Sequence, residues 1–441
     1  MNIKPFIDRR RETIKRMGAG IAIVPTAPEQ VRNRDAHFPY RADSYALYLS
    51  GFTEPEAVVV LIAGDDVKNG AQSILFCRDK NEEREIWDGY RYGPAAAAEI
   101  FGFDAAYSIA ELDEKLVELM ANQPTLYCAI GHDAVWDARI TQALNGVRAQ
   151  ARAGKRAPEN IRDIRTILDA QRLFKDEYEI ATMRRAGDIS GEAHKRAMRA
   201  TRPGKYEYEI EAELLHEFRR QGCQAPAYTS IVAGGKNACV LHYVENDQRL
   251  NDGDLLLIDA GGELDGYASD ITRTFPVNGK FSGAQRDVYQ LVLDAQAASI
   301  AATRPGNTFM DPHDAAVKVL AQGMLDLKLL SGTLDDVLEQ EGYKRFYMHR
   351  TGHWLGLDVH DAGEYKDHDN GGAWKTLQPG MMLTVEPGCY IRPADDVPVA
   401  FHNIGVRIED DALVTADGCD IITKATPKTI ADIEAVMAEG H

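Results

Sequence analysis

The sequence predicts an α/β (α+β) protein of two domains, the second built from an internal duplication. Three observations carry this. The chain has 441 residues, more than one hydrophobic core usually serves. The pentapeptide ATRPG occurs at Ala200 to Gly204 and again at Ala302 to Gly306, each time between two helix-like segments. A longer pattern, LNDGDLLLIDAG (Leu250 to Gly261), returns as LQPGMMLTVEPG (Leu377 to Gly388): Leu, a turn Gly three residues on, an apolar run, an acid and a Gly. Two repeats in matching order imply two related modules of paired helices followed by strands, placing Asp259 and Glu386 at equivalent strand ends.

The first domain, residues 1–172, reads as mixed α/β. Gly20 to Pro25, Ala57 to Ala63 and Ser73 to Cys77 are strand-like, and Ile109 to Ala121 has helical spacing. ARAGKRAPENIRD (Ala151 to Asp163) is polar and basic with a Gly and a Pro, so it reads as the domain's end and a connector. The second domain, residues 173–441, opens with a long helix from Asp176, its N-cap, to about Ala200, and a second follows from Glu207 to Gly222. Ala227 to Ala233, Leu255 to Ala260 and Ile271 to Val277 read as strands. The scheme then repeats, with helices near Ala284 to Ala302 and Pro312 to Lys328.

Composition bounds the function. At 44% hydrophobic and 27% charged residues the chain has the balance of a soluble globular protein, and a formal net charge of −18 opposes nucleic-acid backbones and anionic membranes. The charged start MNIKPFIDRRRETIKRM lacks the apolar core of a signal peptide, and no run reaches membrane-spanning length, which predicts a cytoplasmic location. Six cysteines without CxxC spacing suit reduced thiols.

The chemistry concentrates in the second domain. Asp259 closes the buried run LLLID, where an ionised carboxylate needs a strong partner. Asp270, in GYASDITRTF, follows where an adjacent antiparallel strand brings it alongside. Glu386 ends MMLTVE, and Glu409 lies in IGVRIEDD, read as an alternating strand. Four carboxylates converging in apolar surroundings repel one another, and two divalent cations would neutralise them. MHRTGHWLGLDVHD adds His349, His353 and His360. Gly352 and Gly356 disfavour a helix that would present two ligands on one face, so the spacing suits a strand and loop with one His on metal and the others near substrate. One imidazole with four carboxylates is oxygen-rich, favouring manganese or another hard ion over a closed zinc site.

At these residues the chain resembles the aminopeptidase P family of pita-bread metallopeptidases. HRTGHWLGLDVHD resembles the proline-peptidase signature, and DAG, SDITRTF, TVEPG and RIEDD resemble the metal-ligand segments in order. Arg34 to Val58 and Glu85 to Gly93 resemble parts of the bacterial enzymes' first domain. The resemblance implies a pita-bread catalytic domain with pseudo-two-fold repeat. It implies two divalent ions, manganese first, with Asp259 chelating one, His353 and Glu386 on the other, and Asp270 and Glu409 bridging. It further implies that Glu386 is the general base and that His242, His349 and His360 bind substrate and handle protons. Arg407 would orient a ligand, Tyr390 would stand near the site, and Asp35 and Trp87 would approach it from the first domain, Asp35 from a neighbouring subunit.

The implied reaction is release of the N-terminal residue from peptides with proline second, by a metal-bridging hydroxide, in a homodimer or homotetramer. A tertiary amide with no N–H and ready access to cis defeats ordinary peptidases. The competing reading is a prolidase confined to Xaa-Pro dipeptides. The signature more commonly reads HGLSH, so Arg350 brings charge and bulk beside the cleft and joins the candidate substrate-binding residues.

Overall fold

The structure, a computed structural model, describes residues 2–64 and 72–440. The chain divides into two compact units, residues 1–171 and 172–441.

The first unit is built on a six-stranded mixed sheet: β1 (Gly20–Pro25), β2 (Val58–Ala63), β3 (Ser73–Cys77), β4 (Ala105–Ser108), β5 (Thr125–Tyr127) and β6 (Asn160–Arg162), in the order β4-β3-β2-β1-β5-β6. β1 to β3 are runs of buried Val, Ile, Leu and Phe, as strands covered on both faces must be. Helices Leu112–Met120 and Ala134–Ala149 give Leu112, Leu116, Ile140, Leu144 and Val147 to the same core. The segment read as a connector corrects that reading. Residues 160–162 form the edge strand β6, parallel to β5, so the polar stretch before it is a surface loop inside the unit. A solvated edge strand with its side chains exposed lacks the apolar pattern that betrays a strand.

In the second unit the repeat is explicit. α1 (Glu177–Ala200) packs on α2 (Glu207–Arg220), and α3 (Gly283–Ala302) packs on α4 (Asp311–Asp326). α1 and α3 both open with a capping box. Asp176 and Glu179 exchange bonds of 2.9 and 3.0 Å, and Ser282 and Gln285 bonds of 3.3 and 2.9 Å. Each then ends in ATRPG, whose threonine hydroxyl bonds the carbonyl four residues back, Thr201 to Ala197 at 2.8 Å and Thr303 to Ser299 at 2.9 Å.

The two duplicated motifs bond to each other within each repeat. Gly204 N–H donates to Leu250 O, and Leu250 N–H donates to Lys205 O, both at 2.8 Å. In the second copy Gly306 N–H donates to Leu377 O at 3.2 Å, and Leu377 N–H to Asn307 O at 2.8 Å. Three residues further, Gly253 and Gly380 hold φ of 85° and 93°, a conformation that favours glycine. The correspondence thus extends from sequence to individual backbone bonds.

The strands after the turns differ more. β7 (Ile231–Gly234), β8 (Leu255–Asp259) and β9 (Thr272–Pro276) form an antiparallel sheet in the order β7-β8-β9. β10 (Met382–Val385), β13 (Asp410–Val414) and β14 (Cys419–Ile421) form a second, and β11 (Gly388–Ile391) pairs with β12 (Ile404–Arg407). Two readings need correction. The strand expected from Ala227 begins only at Ile231, because Ala227 N–H is taken by Gly261 O. Glu409 lies between β12 and β13, its N–H donating to Thr272 O at 3.0 Å, so the chain leaves one sheet for the other at that residue.

Candidate metal centre

Each predicted carboxylate ligand sits at or beside the end of a strand. Asp259 is the last residue of β8, opposite Thr272 of β9, and Asp270 stands just before β9. The Tyr228 hydroxyl lies 2.6 Å from Asp259 Oδ1 and 2.5 Å from Asp270 Oδ1, so the two carboxylates share it. Glu386 follows β10, its N–H donating to Thr351 O. Glu409 is buried and accepts the Thr272 hydroxyl at 2.6 Å, while Asp270 N–H donates to Asp411 Oδ2 at 3.2 Å.

His353 is fixed by β10: its N–H donates to Thr384 Oγ1 at 3.1 Å, and Thr384 N–H returns to His353 O. Its Nδ1 lies 2.9 Å from Trp354 O and donates there, which aims Nε2 at the carboxylates, 3.4 Å from Asp270 Oδ2 and 3.7 Å from Glu386 Oε1. Outer hydrogen bonds fix the tautomer of metal-binding histidines in this way. Trp354, its neighbour, is fully buried.

The electrostatics identify what the cluster lacks. Burial first, then the Asp270, Glu386 and Asp259 charges, push Glu409 well above the usual carboxylate range. Burial raises Glu386 to about 7, with Asp270 and Asp259 adding to it, and burial with Asp259 raises Asp270. Burial opposes a proton on His353, yet its bond to Asp270 and the Glu386 charge lift it to about 9. Four acids and one imidazole thus crowd together with too little positive charge. Ligand atoms of Asp270, His353 and Glu409 lie within 4.8 Å of one another, close enough for a common ion. The donor set fits divalent cations held mainly by oxygen.

A chain of hydrogen bonds leads away from the ligands. Arg407, at the end of β12, reaches Asp259 Oδ2 with Nη2 at 2.7 Å, Tyr390 Oη with Nη1 at 3.1 Å and Thr272 Oγ1 with Nε at 3.1 Å. Tyr390 Oη lies 2.8 Å from His349 Nε2, and His349 Nδ1 lies 2.7 Å from Arg350 O. Burial and the nearby Arg407 charge push His349 down to about 3. It is neutral, so its 3.8 Å approach to Glu386 is not an ion pair.

The cluster floors a cavity of about 650 Å³ whose lining residues all belong to the second unit. His242, His349, Arg350 and His360 line it together with Asp259, Asp270, His353, Glu386, Arg407 and Glu409, as do the apolar Ile231, Leu241, Val244 and Val359. The His360 ring packs edge-on against His353, centroids 4.3 Å apart. Tyr390 is buried behind the wall. Asp35 and Trp87 belong to the first unit. Asp35 is exposed in the turn of the hairpin Val31–Asn33 and Ala36–His37, and Trp87, on helix Glu82–Asp88, is 83% exposed, so it is not core.

Tyr228, His313 and Asp411 escaped the sequence reading. His313 Nδ1 lies 2.9 Å from Thr351 Oγ1, behind the His349 segment, with its ring beside Tyr347. None of the three belongs to a motif with a diagnostic spacing; only the doubled acid of RIEDD hinted at Asp411.

Residues 181–416 match the model of metallopeptidase family M24, and residues 6–127 match that of the aminopeptidase P N-terminal domain. The chain belongs to the aminopeptidase P group of family M24. Its family makes it a metallopeptidase, as the donor set demands. Among relatives, it is 43% identical over 433 residues to Xaa-Pro aminopeptidase of Escherichia coli, covering 98% of this chain and 97% of that protein. Over the same length it is 43% identical to Xaa-Pro aminopeptidase of Haemophilus influenzae, covering 98% and 96%. Of solved structures, Pseudomonas aeruginosa aminopeptidase PepP superposes with a TM-score of 0.97 at 47% identity, covering 100% of this chain and 99% of that one. Zinc-substituted Escherichia coli aminopeptidase P in complex with product gives 0.96 at 43% identity, with the same coverage.

Proposed function

We propose that the enzyme removes the N-terminal residue from peptides with proline second, with two divalent ions held by Asp259, Asp270, His353, Glu386 and Glu409. The observation that carries this is the crowding of four carboxylates around the aimed Nε2 of His353 on the floor of a partly apolar cavity. Asp259 would contribute to one ion, His353 and Glu386 to the other, and Asp270 and Glu409 to both. Manganese is the native metal on this reading, because oxygen dominates the donor set. When bound, such a pair supplies Lewis acidity that polarises a carbonyl and makes water a nucleophile at neutral pH.

The residues divide the remaining work. Glu386, lifted to about 7 by burial and its acidic neighbours, is the proton acceptor of the centre. Arg407 holds Asp259 in its ligating orientation and, through Tyr390, holds His349. His242 and His360, both exposed to the cavity, stand where a leaving proline nitrogen can be protonated. The substrate's free amine would find an acidic partner or a metal at the floor, which limits cleavage to the first residue. The apolar walls accept the proline ring.

Three wider features belong to the same proposal. Ile86, Trp87 and Tyr90 are exposed on one short stretch of the first unit, a surface suited to subunit contacts in a dimer or tetramer, in which Trp87 and Asp35 contribute to a substrate cleft. Six free thiols, five of them buried, suit the reducing cytoplasm. No described helix is long and apolar enough to cross a membrane.

The test is product analysis of metal-stripped enzyme, with and without manganese, on an Xaa-Pro dipeptide and an Xaa-Pro-Xaa tripeptide. Manganese-dependent release of the first residue from the tripeptide is expected, and His353→Ala should lose metal and activity together. Cleavage of the dipeptide alone would make the enzyme a prolidase.

A further inference from the structure

Two arginines line the cavity, and only one is committed. Arg407 is buried and spends its guanidinium on Asp259, Tyr390 and Thr272. Arg350 is exposed, and its guanidinium carbon lies 5.2 Å from the centroid of the Trp374 ring. Lys366 approaches the same ring, Nζ to centroid 4.8 Å. Neither cation has an acidic partner within 4.0 Å among the described residues. Trp374 is itself anchored, half-buried in the cluster that holds Phe309, Trp354 and Leu377. Lys366, on the hairpin Lys366–Asp367 with Ala373–Trp374, and Arg350, from the His349 segment, therefore bring two cations to one fixed aromatic platform.

His313, behind the His349 segment, is pushed down to about 4 by burial with help from Arg350 itself, so it adds no charge at neutral pH. The cavity thus has the ligand centre on its floor and an exposed cation, Arg350, on its wall. A guanidinium beside the substrate's amine would repel it. Arg350 thus stands on the side of the substrate that carries negative charge.

We infer that Arg350, backed by Lys366, receives a substrate carboxylate beyond the scissile bond. The enzyme is then selective for short peptides with a free C-terminus or with an acidic residue after proline. This rests on the peptidase reading above and adds a substrate class to it. The guanidinium offers two parallel N–H donors to a carboxylate, and the Trp374 face keeps it oriented without neutralising it.

The experiment compares manganese-loaded wild type, Arg350→Gln and Arg350→Lys on three peptides: Ala-Pro-Ala as free acid, Ala-Pro-Ala amide and Ala-Pro-Asp amide. For wild type the free acid should exceed its amide roughly three- to fivefold in kcat/KM, through KM, the range of a partly exposed ion pair. The preference should shrink at high salt, as screening requires. It should vanish in Arg350→Gln and persist in Arg350→Lys. Recovery of the preference with Ala-Pro-Asp amide assigns it to side-chain carboxylates as well, and its absence there confines it to the C-terminus. A preference unchanged in Arg350→Gln, insensitive to salt, or missing from wild type overturns the inference while the peptidase reading stands. Failure of the loaded wild type to cleave any of the three overturns both.

Discussion

Replacing Gly261 with alanine offers a direct test of how the ligands are spaced. Gly261 follows Asp259 by two residues, and a Cβ built on it would lie 1.6 Å from Ser269 O, whose residue precedes Asp270. Real Cβ atoms essentially never come closer than 3.0 Å, so the two segments have to part by at least about 1.4 Å. The clash is with backbone, which no rotamer change relieves. Ala260 N–H bonds Ile271 O at 3.0 Å across the same gap, so the parting opens β8 from β9 where Asp259 and Asp270 share the Tyr228 hydroxyl. A ligand displacement of this size costs about 100-fold in rate, and overpacking costs about 1–3 kcal/mol of stability. Titration calorimetry with manganese, kcat/KM at saturating metal and thermal melting of the stripped protein read the three effects. Gly283→Ala, whose Cβ meets nothing within 4 Å at the first residue of α3, is the control and should match wild type. Metal affinity and kcat/KM within twofold of wild type for Gly261→Ala would refute the claim that this close approach spaces the ligands.

Two further outcomes follow from buried polar groups. Arg407→Leu removes the cation 2.7 Å from Asp259 and should weaken metal binding about 10–100-fold, with circular dichroism unchanged; equal affinity by calorimetry would remove its orienting role. His194 is fully buried with Nε2 3.0 Å from Ala260 O, and burial holds it down to about 4 against 6.5 in the unfolded chain. Above the unfolded value neither state binds the proton. As pH falls from 6.5 to 4 only the unfolded chain takes it up, so stability falls by on the order of 3 kcal/mol. Denaturant titrations should show a shallower acid limb for His194→Gln, and an identical limb would show that another group drives it.

Much of the site was legible because its chemistry is written in local pattern. Asp259 and Glu386 stood out as acids ending apolar runs, and the histidines stood in a segment whose glycines forbade a helix. The duplication was legible for a stronger reason. ATRPG and the Leu-to-Gly motif bond to each other in each copy, so changing either breaks a fixed set of backbone partners. What stayed hidden depends on distant chain. Tyr228 sits in an unremarkable QAPAYTS and gains its role only because Ala227 bonds Gly261, placing its hydroxyl over two acids. The crossing at Glu409 depends on Thr272, and no periodicity within RIEDD records that. β6 was hidden because an exposed edge strand has no apolar face to show.

The surroundings of Arg273 bear on how the centre comes into being. This fully buried guanidinium donates Nη1 to Glu409 O at 2.6 Å and to Thr272 O at 2.9 Å, Nη2 to Asp410 Oδ1 at 2.7 Å and to Thr426 O at 3.1 Å, and Nε to Pro427 O at 2.8 Å. Lys428 closes the same cluster on Asp410 Oδ2 at 2.7 Å. The residues that bear Thr272 and Glu409 are thus clamped to a stretch about 150 positions downstream of Arg273. A polypeptide emerges from the ribosome N-terminus first. All five ligands are therefore translated before residues 426–428 arrive to lock the last of them in place. A nascent chain lacks that lock until those residues, which follow the last ligand, Glu409, have been made.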